Sequence, residues 1–127
     1  GRLITLFGCG GDRDKTKRPI MGEIAVRLSD VAVVTSDNPR SEDPDTIINE
    51  ILPGLSECAA QVHVEPDRVR AIRWALKQGR PGDVIVLAGK GHETSQEISG
   101  VRHHLDEREI VADYFQRQPA KKTEKNS

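Results

Sequence analysis

Short runs of aliphatic and β-branched residues alternate along this chain with longer stretches in which apolar residues recur every three or four positions. That alternation constrains the fold more than any other feature. Leu3-Ile4-Thr5-Leu6-Phe7, Val31-Ala32-Val33-Val34-Thr35, Gln61-Val62-His63-Val64-Glu65 and Asp83-Val84-Ile85-Val86-Leu87-Ala88 read as strands. Ile20, Met21, Ile24, Ala25 and Leu28 make one helical face behind Pro19, and Ile47, Ile48, Ile51 and Leu52 make another behind Asp43-Pro44, stopped by Pro53-Gly54. A third helix starts at Pro66, carries Val69, Ile72, Ala75 and Leu76, and ends near Lys77 and Gly79. Strands and helices in alternation make a parallel sheet, because every parallel pair needs a crossover. The expected class is therefore α/β, a Rossmann-like, mostly parallel sheet with helices on both faces. Ser95 to His104 then has the pattern of a small antiparallel hairpin turning at Ser99-Gly100. Asp106 caps a last helix bearing Ile110, Val111, Tyr114 and Phe115.

With two Phe, one Tyr and one Trp in 127 residues, the core has to be aliphatic. One domain over residues 1–116, followed by a polar disordered tail over 117–127, fits the length and the composition of the last stretch. The 19 basic and 20 acidic residues leave a net charge of −1, which argues against a nucleic-acid binder or a polybasic membrane binder. No apolar run approaches the ~20 residues of a membrane span, and nothing resembles a signal peptide. Two Cys make no disulfide framework, so a cytoplasmic setting is expected. The chain opens Gly1-Arg2-Leu3 straight into its first strand and reads as a piece of something longer.

In such sheets ligands bind beyond the carboxyl ends of the strands. Three loops qualify. Gly8 to Lys17 sets glycines and basic groups between a strand and a helix N-terminus, which suits a phosphate or carboxylate. It is no dinucleotide fingerprint, since Arg13 stands where a third glycine belongs, and no P-loop, since Lys15-Thr16 follows Asp14. A flexible, solvated turn is the plainer alternative. Asp37-Asn38-Pro39-Arg40 is short and stiff, and Arg40 offers a two-pronged grip on a carboxylate; an ordinary turn uses the same residue types. Gly89-Lys90-Gly91-His92-Glu93 follows what reads as the most buried strand. Its carbonyls and the Glu93 carboxylate suit an ammonium group, the alternative being a wide turn with exposed charges. Cys9, Cys58, His63, His92, His103 and His104 show no metal-ligand spacing, so no metal site is expected. Cys58 and His63 read as structural, and Trp74, which lies off its helix stripe, as packing.

Taken in order, three runs resemble the C-terminal domain of the Mur ligases, and among these the branch that adds meso-diaminopimelate. They are Gly8-Cys9-Gly10-Gly11-Asp12-Arg13-Asp14 with Lys17-Arg18-Pro19, then Asp37-Asn38-Pro39-Arg40, then Ala88-Gly89-Lys90-Gly91-His92-Glu93. The likeness covers residues 2–115 and includes Leu105-Asp106-Glu107-Arg108-Glu109. It implies an ATP-dependent amide ligase of cytoplasmic peptidoglycan synthesis, with ATP and Mg2+ bound mainly by a central domain that this chain lacks. That domain phosphorylates the D-glutamate carboxylate of a UDP-sugar dipeptide, and the amine of the incoming amino acid attacks the acyl phosphate. The C-terminal domain binds that amino acid. By position, Arg13, Asp37, Asn38, Pro39, Arg40, Gly89 and Glu93 would contact meso-diaminopimelate. The chemistry agrees: two arginines match two carboxylates, and the Gly89 carbonyl with Glu93 matches an ammonium. Arg40 is the discriminating residue, because lysine lacks the second carboxylate and would leave it unpaired. No P-loop, no UDP-sugar domain and no Asp-Tyr-Ala-His segment accompany these motifs, so the piece alone is expected to catalyse nothing. The competing readings are a related ligase, adding glutamates to folate or amino acids to cyanophycin, and a non-catalytic Rossmann-type module for a small anion.

Overall fold

A computed structural model describes residues 1–55, 60–90 and 93–117. Four parallel strands, β1 (Leu3–Phe7), β2 (Val31–Val34), β3 (Gln61–Val64) and β4 (Val84–Leu87), lie in the order β3-β2-β1-β4. Ile4 stands opposite Val31 and Leu3 opposite Val84. Side chains alternate across the sheet, and each set meets its own pair of helices. Phe7, Ala32 and Val34 pack with α1 (Arg18–Leu28) and α2 (Pro44–Ile51) through Val26, Ile47, Ile48 and Ile51. Ile4, Leu6, Val31 and Val33 pack with Ala71, Ile72 and Ala75 of α3 (Arg68–Gln78), beside Ile110 and Val111 of α4 (Glu107–Gln116). The core is aliphatic, as two Phe, one Tyr and one Trp require. Both layers of helices and the parallel sheet match the expected class.

The hairpin is present too. β5 (Ser95–Ile98) and β6 (Val101–His104) pair antiparallel as a separate two-stranded sheet. Ser99 and Gly100 both have positive φ (50° and 77°), as a two-residue turn matched to the strand twist demands.

Two packing expectations are corrected. β4 is an edge strand rather than the most buried one. Among the described residues its only strand neighbour is β1, and Val84 is 58% exposed, while Ile4, Leu6, Ala32, Val33 and Val34 on the central strands are sealed. An aliphatic run looks the same in either place; strand order decides.

The apolar stripe of α1 also turns outward. Ile20, Met21, Ile24 and Leu28 are exposed, while Arg18, Gly22 and Val26 face inward. Close approach wins over hydrophobicity here. A Cβ on Gly22 would lie 2.8 Å from the Ile51 carbonyl oxygen, so the helix can dock on its neighbour only through this small residue. Val84 and Val86 alternate with Ile85 and Leu87, which pack toward α3 and α4, and so point to the same side of the sheet as α1.

Smaller boundaries shift as well. α3 begins at Arg68 rather than at Pro66, because the Asp67 carboxylate accepts the Arg70 amide (3.1 Å). A 3-10 turn over Leu52–Leu55 carries the chain past the expected stop. His63 on β3 stacks flat on Trp74 (3.8 Å, 1°), so both serve packing. Cys58 and residues 118–127, nearly all of the expected tail, lie outside the described residues. No helix among the described residues is long and apolar enough to cross a membrane.

Candidate functional site

The loops after β1, β2 and β4 meet at the carboxyl end of the sheet. The first two are fused by backbone. The Gly11 amide donates to the Asn38 carbonyl (2.7 Å), and a Cβ on Gly11 would sit 1.8 Å from the Pro39 oxygen. Only glycine permits that approach. The next amide, of Asp12, donates to Glu42 Oε2 (2.6 Å), and the Asp12 carboxylate accepts the Ser41 hydroxyl (2.6 Å). These amides are spent on the protein itself, so the glycines join two loops instead of cradling a phosphate. Nor does any group of three or more His, Cys, Asp or Glu among the described residues stand close enough to hold a metal ion. Among the described residues this loop therefore offers no ready-made phosphate cradle.

Buried arginines brace this end of the sheet. Arg18, 1% exposed, donates to Glu50 (2.8 Å), to both oxygens of Glu42 (3.1 and 3.0 Å) and to the Gly10 carbonyl (3.0 Å). The Arg18 guanidinium, with the Asp12 amide, holds Glu42 well below the usual carboxylate range, at about 2. Arg68, equally buried, joins Glu107 (2.8 Å) to the carbonyls of Ser36 (2.8 Å) and Ala88 (3.0 Å) and so ties α3 to the ends of β2 and β4. Burial pushes the Cys9 thiol up, toward an inert side chain.

The segment Asp37-Asn38-Pro39-Arg40 is gripped by the hairpin. Gln96 Nε2 donates to the Asp37 carbonyl (2.7 Å), and the Glu97 amide donates to Asn38 Oδ1 (2.9 Å). The Arg40 amide donates to the Glu97 carbonyl (3.0 Å), while the Ser99 amide donates to the Arg40 carbonyl (2.6 Å). Arg40 thus pairs with Ile98 as a one-residue parallel bridge. Its φ of 54° is unusual for a side chain this large, and the two hydrogen bonds from β5 and the turn hold it there. Its guanidinium is fixed at one corner only. Nη1 donates to the carbonyls of Gly11 (2.9 Å) and Asn38 (3.4 Å), and no carboxylate among the described residues pairs with it.

The other expected residues surround this segment. Pro39 is sealed beneath Gly11. A Cβ on Gly10 would lie 2.8 Å from Arg40 Nη1 and 3.6 Å from Arg13 Cγ, so the two arginines flank that glycine. Arg13 is exposed, and its Nη1 reaches only the Asp12 carbonyl, at 3.5 Å. Gly89, exposed with φ 109°, leads out of β4, and Glu93 is open to solvent. Gly91 and His92 lie outside the described residues.

Lys90, Gln96, Arg18 and Arg68 carry much of this geometry and were not among the expected residues. Lys90 is 2% exposed. Its Nζ donates to Asn38 Oδ1 (3.0 Å) and the Ser95 carbonyl (3.0 Å), with Glu93 Oε1 at 3.5 Å and Asp37 Oδ1 at 3.4 Å. A lysine set between glycines reads as a solvated turn. The one available signal was its place directly after a strand in the most chemically loaded loop.

The surface therefore offers two under-used guanidiniums beside two carboxylates. Residues 1–91 match the family model described as Mur ligase, glutamate ligase domain. The chain belongs to the Mur ligases. Among the relatives of this Mur ligase domain is the UDP-N-acetylmuramoyl-L-alanyl-D-glutamate–2,6-diaminopimelate ligase of Chromobacterium violaceum. It is 61% identical over 102 residues, which are 80% of this chain and 20% of that protein. The ligase of the same name from Lawsonia intracellularis is 52% identical over 110 residues, 87% of this chain and 23% of that protein. A solved structure, also titled UDP-N-acetylmuramoyl-L-alanyl-D-glutamate–2,6-diaminopimelate ligase, superimposes with a TM-score of 0.85 at 43% identity. It covers 92% of this chain and 24% of that one. This Mur ligase domain spans about a fifth to a quarter of the length of the relatives it matches.

Proposed function

We propose that residues 1–116 are the C-terminal, amino-acid-binding domain of a cytoplasmic ligase that adds meso-diaminopimelate to a UDP-N-acetylmuramoyl dipeptide in peptidoglycan synthesis. The observation that carries this reading is Arg40. Its guanidinium is oriented by two carbonyls, yet has no carboxylate partner among the described residues, and Asp37 lies three positions before it. Such a pattern suits a zwitterion with one carboxylate more than lysine. Arg40 holds that carboxylate in a two-pronged grip, and Arg13, on the far side of Gly10, holds the other. Asp37, the Gly89 carbonyl and Glu93 receive an ammonium group, and the Asn38 side-chain NH2 donates to a carboxylate. Pro39 keeps Asn38 and Arg40 in register. The domain thereby presents an amine in one orientation to the acceptor carbonyl, converting a bimolecular encounter into a positioned one. ATP with Mg2+, held by the remainder of the longer protein, supplies the activation of that acceptor carboxylate.

The test is amide formation by the full-length protein with ATP, the UDP-dipeptide and either diaminopimelate or lysine. Diaminopimelate should be preferred by about 100-fold or more, and Arg40→Ala should remove most of that preference, since a site built for a charged group rejects the molecule lacking it. Equal use of lysine by the wild type, or an unchanged preference in Arg40→Ala, overturns the reading.

A further inference from the structure

Lys90 is as enclosed as the two buried arginines at this end of the sheet. Its side chain is sealed from solvent, while those of Asp37 and Glu93 are 21% and 54% exposed. An ammonium has three hydrogens to direct. Two of its contacts, at 3.0 Å each, go to neutral oxygens: Asn38 Oδ1, in the loop after β2, and the Ser95 carbonyl, at the start of β5. The two carboxylates stand further off, Asp37 Oδ1 at 3.4 Å and Glu93 Oε1 at 3.5 Å. Asp37 Oδ1 is buried and accepts no well-formed hydrogen bond. One buried charge therefore ties its own loop to two other segments through neutral acceptors, holds Glu93 by a long hydrogen bond and attracts Asp37 without one.

We propose that Lys90 is a positioning residue for substrate, which aims Asp37 and Glu93 at the amino group of the incoming amino acid and turns the Asn38 NH2 toward its carboxylate. The inference rests on the functional reading above. With Lys90 charged, the cluster of two carboxylates and one ammonium carries a net charge of −1, which one further ammonium neutralises. Asn38 is central to the arrangement. Its Oδ1 is occupied by Lys90 and by the Glu97 amide (2.9 Å), which leaves its amide NH2 as the group free to face a ligand. Loss of Lys90 would leave two carboxylates repelling each other and would let the Asn38 side chain turn over. Both effects fall on the amino-acid subsite.

The experiment uses the full-length ligase with Lys90→Met and Lys90→Gln. Km is measured separately for ATP, for the UDP-dipeptide and for the amino acid that the wild type consumes, and thermal midpoints are recorded alongside. Lys90→Met should raise Km for the amino acid about 30-fold, the worth of charge-assisted hydrogen bonds, and leave the other two Km values within about twofold. Lys90→Gln keeps two donors for Asn38 and Ser95 and should recover part of the loss, and it is the variant that decides the matter if Lys90→Met does not fold. In the double variant Lys90→Met/Glu93→Gln the two losses should be less than additive, because Lys90 acts through Glu93. An amino-acid Km unchanged in Lys90→Gln while the thermal midpoint falls, or a parallel rise in all three Km values, overturns the proposal. Failure of the functional reading would show in the wild type as the wrong amino acid consumed, whereas failure of the Lys90 role shows only in the variants.

Discussion

Arg18 and Arg40 both donate to carbonyls of the same glycine-rich loop, Arg18 to Gly10 and Arg40 to Gly11, and there the likeness ends. Arg18 is buried and matched by two carboxylates, Glu42 and Glu50. Arg40 is half-buried, is held in a backbone conformation that most residues avoid, and has no carboxylate partner among the described residues. The first arrangement has its charge balanced by carboxylates within the fold, with its buried Nε left without a hydrogen-bond partner, and adds rigidity. The second keeps an oriented, unbalanced charge at the surface, which is how a site recognises a carboxylate. An arginine's role is read from whether carboxylates balance its charge, not from its neighbours in sequence.

The sharpest way to break this comparison is to remove both groups. Arg18→Met leaves Glu42 and Glu50 without their partner and should lower unfolding free energy in denaturant titrations by about 3 kcal/mol, as expected when one member of a buried ion pair is deleted. Arg40→Met should cost under about 1 kcal/mol in the same titration, the usual range for a partly exposed position, while lowering kcat/Km for diaminopimelate in the full-length ligase about 100-fold. If the two variants lost stability equally, the distinction would fail.

Gly11→Ala sharpens the comparison between them. Its Cβ would overlap the Pro39 carbonyl, so the loops carrying Arg13 and Arg40 must part. A loss of about 2 kcal/mol is expected, in the range of overpacked sites, together with a raised Km for the amino acid. Retained stability with unchanged Km would show that the loops tolerate separation.

The smallest effect concerns pH. Glu42 is held at about 2 against an ordinary 4.5, so its ionised form is favoured by folding. The stability it contributes is complete above about 4.5 and is lost as pH falls toward about 2. Glu42→Gln should flatten that part of the stability–pH curve, measured by denaturant unfolding at a series of pH values, and Arg40→Met should leave it as it was. Asp83 on the far end of the sheet, held low by hydrogen bonds from Arg2, acts in the same direction and remains in both variants.

Much of this was legible beforehand, and the exceptions share a cause. The four strands and four helices follow from local periodicity, which needs no knowledge of neighbours. Asp37 to Arg40 stood out because Pro39 stiffens a segment already rich in hydrogen-bonding groups. The exposure of β4 was not legible, since Val84-Ile85-Val86-Leu87 reads alike at the centre or the edge of a sheet, and only the strand order separates the two. The outward stripe of α1 was missed because Gly22, the residue that decides its docking face, shows its importance only against Ile51. Lys90 was missed for the same reason. Its burial depends on Ser95 and Asn38, the latter far away along the chain. What escaped was each time a contact between distant segments.

The hairpin's grip on Arg40 has a consequence in time. A ribosome delivers chain from the N-terminus at about 5–20 residues per second. Asp37 to Arg40 follow the glycine loop they pack on, but the strand that fixes the Arg40 backbone from the other side comes out only later, with Glu97 to Ser99. The strained turn therefore depends on an element made well after it. A chain cut short before the hairpin would keep the complete parallel sheet and lose the two hydrogen bonds that hold the Arg40 backbone.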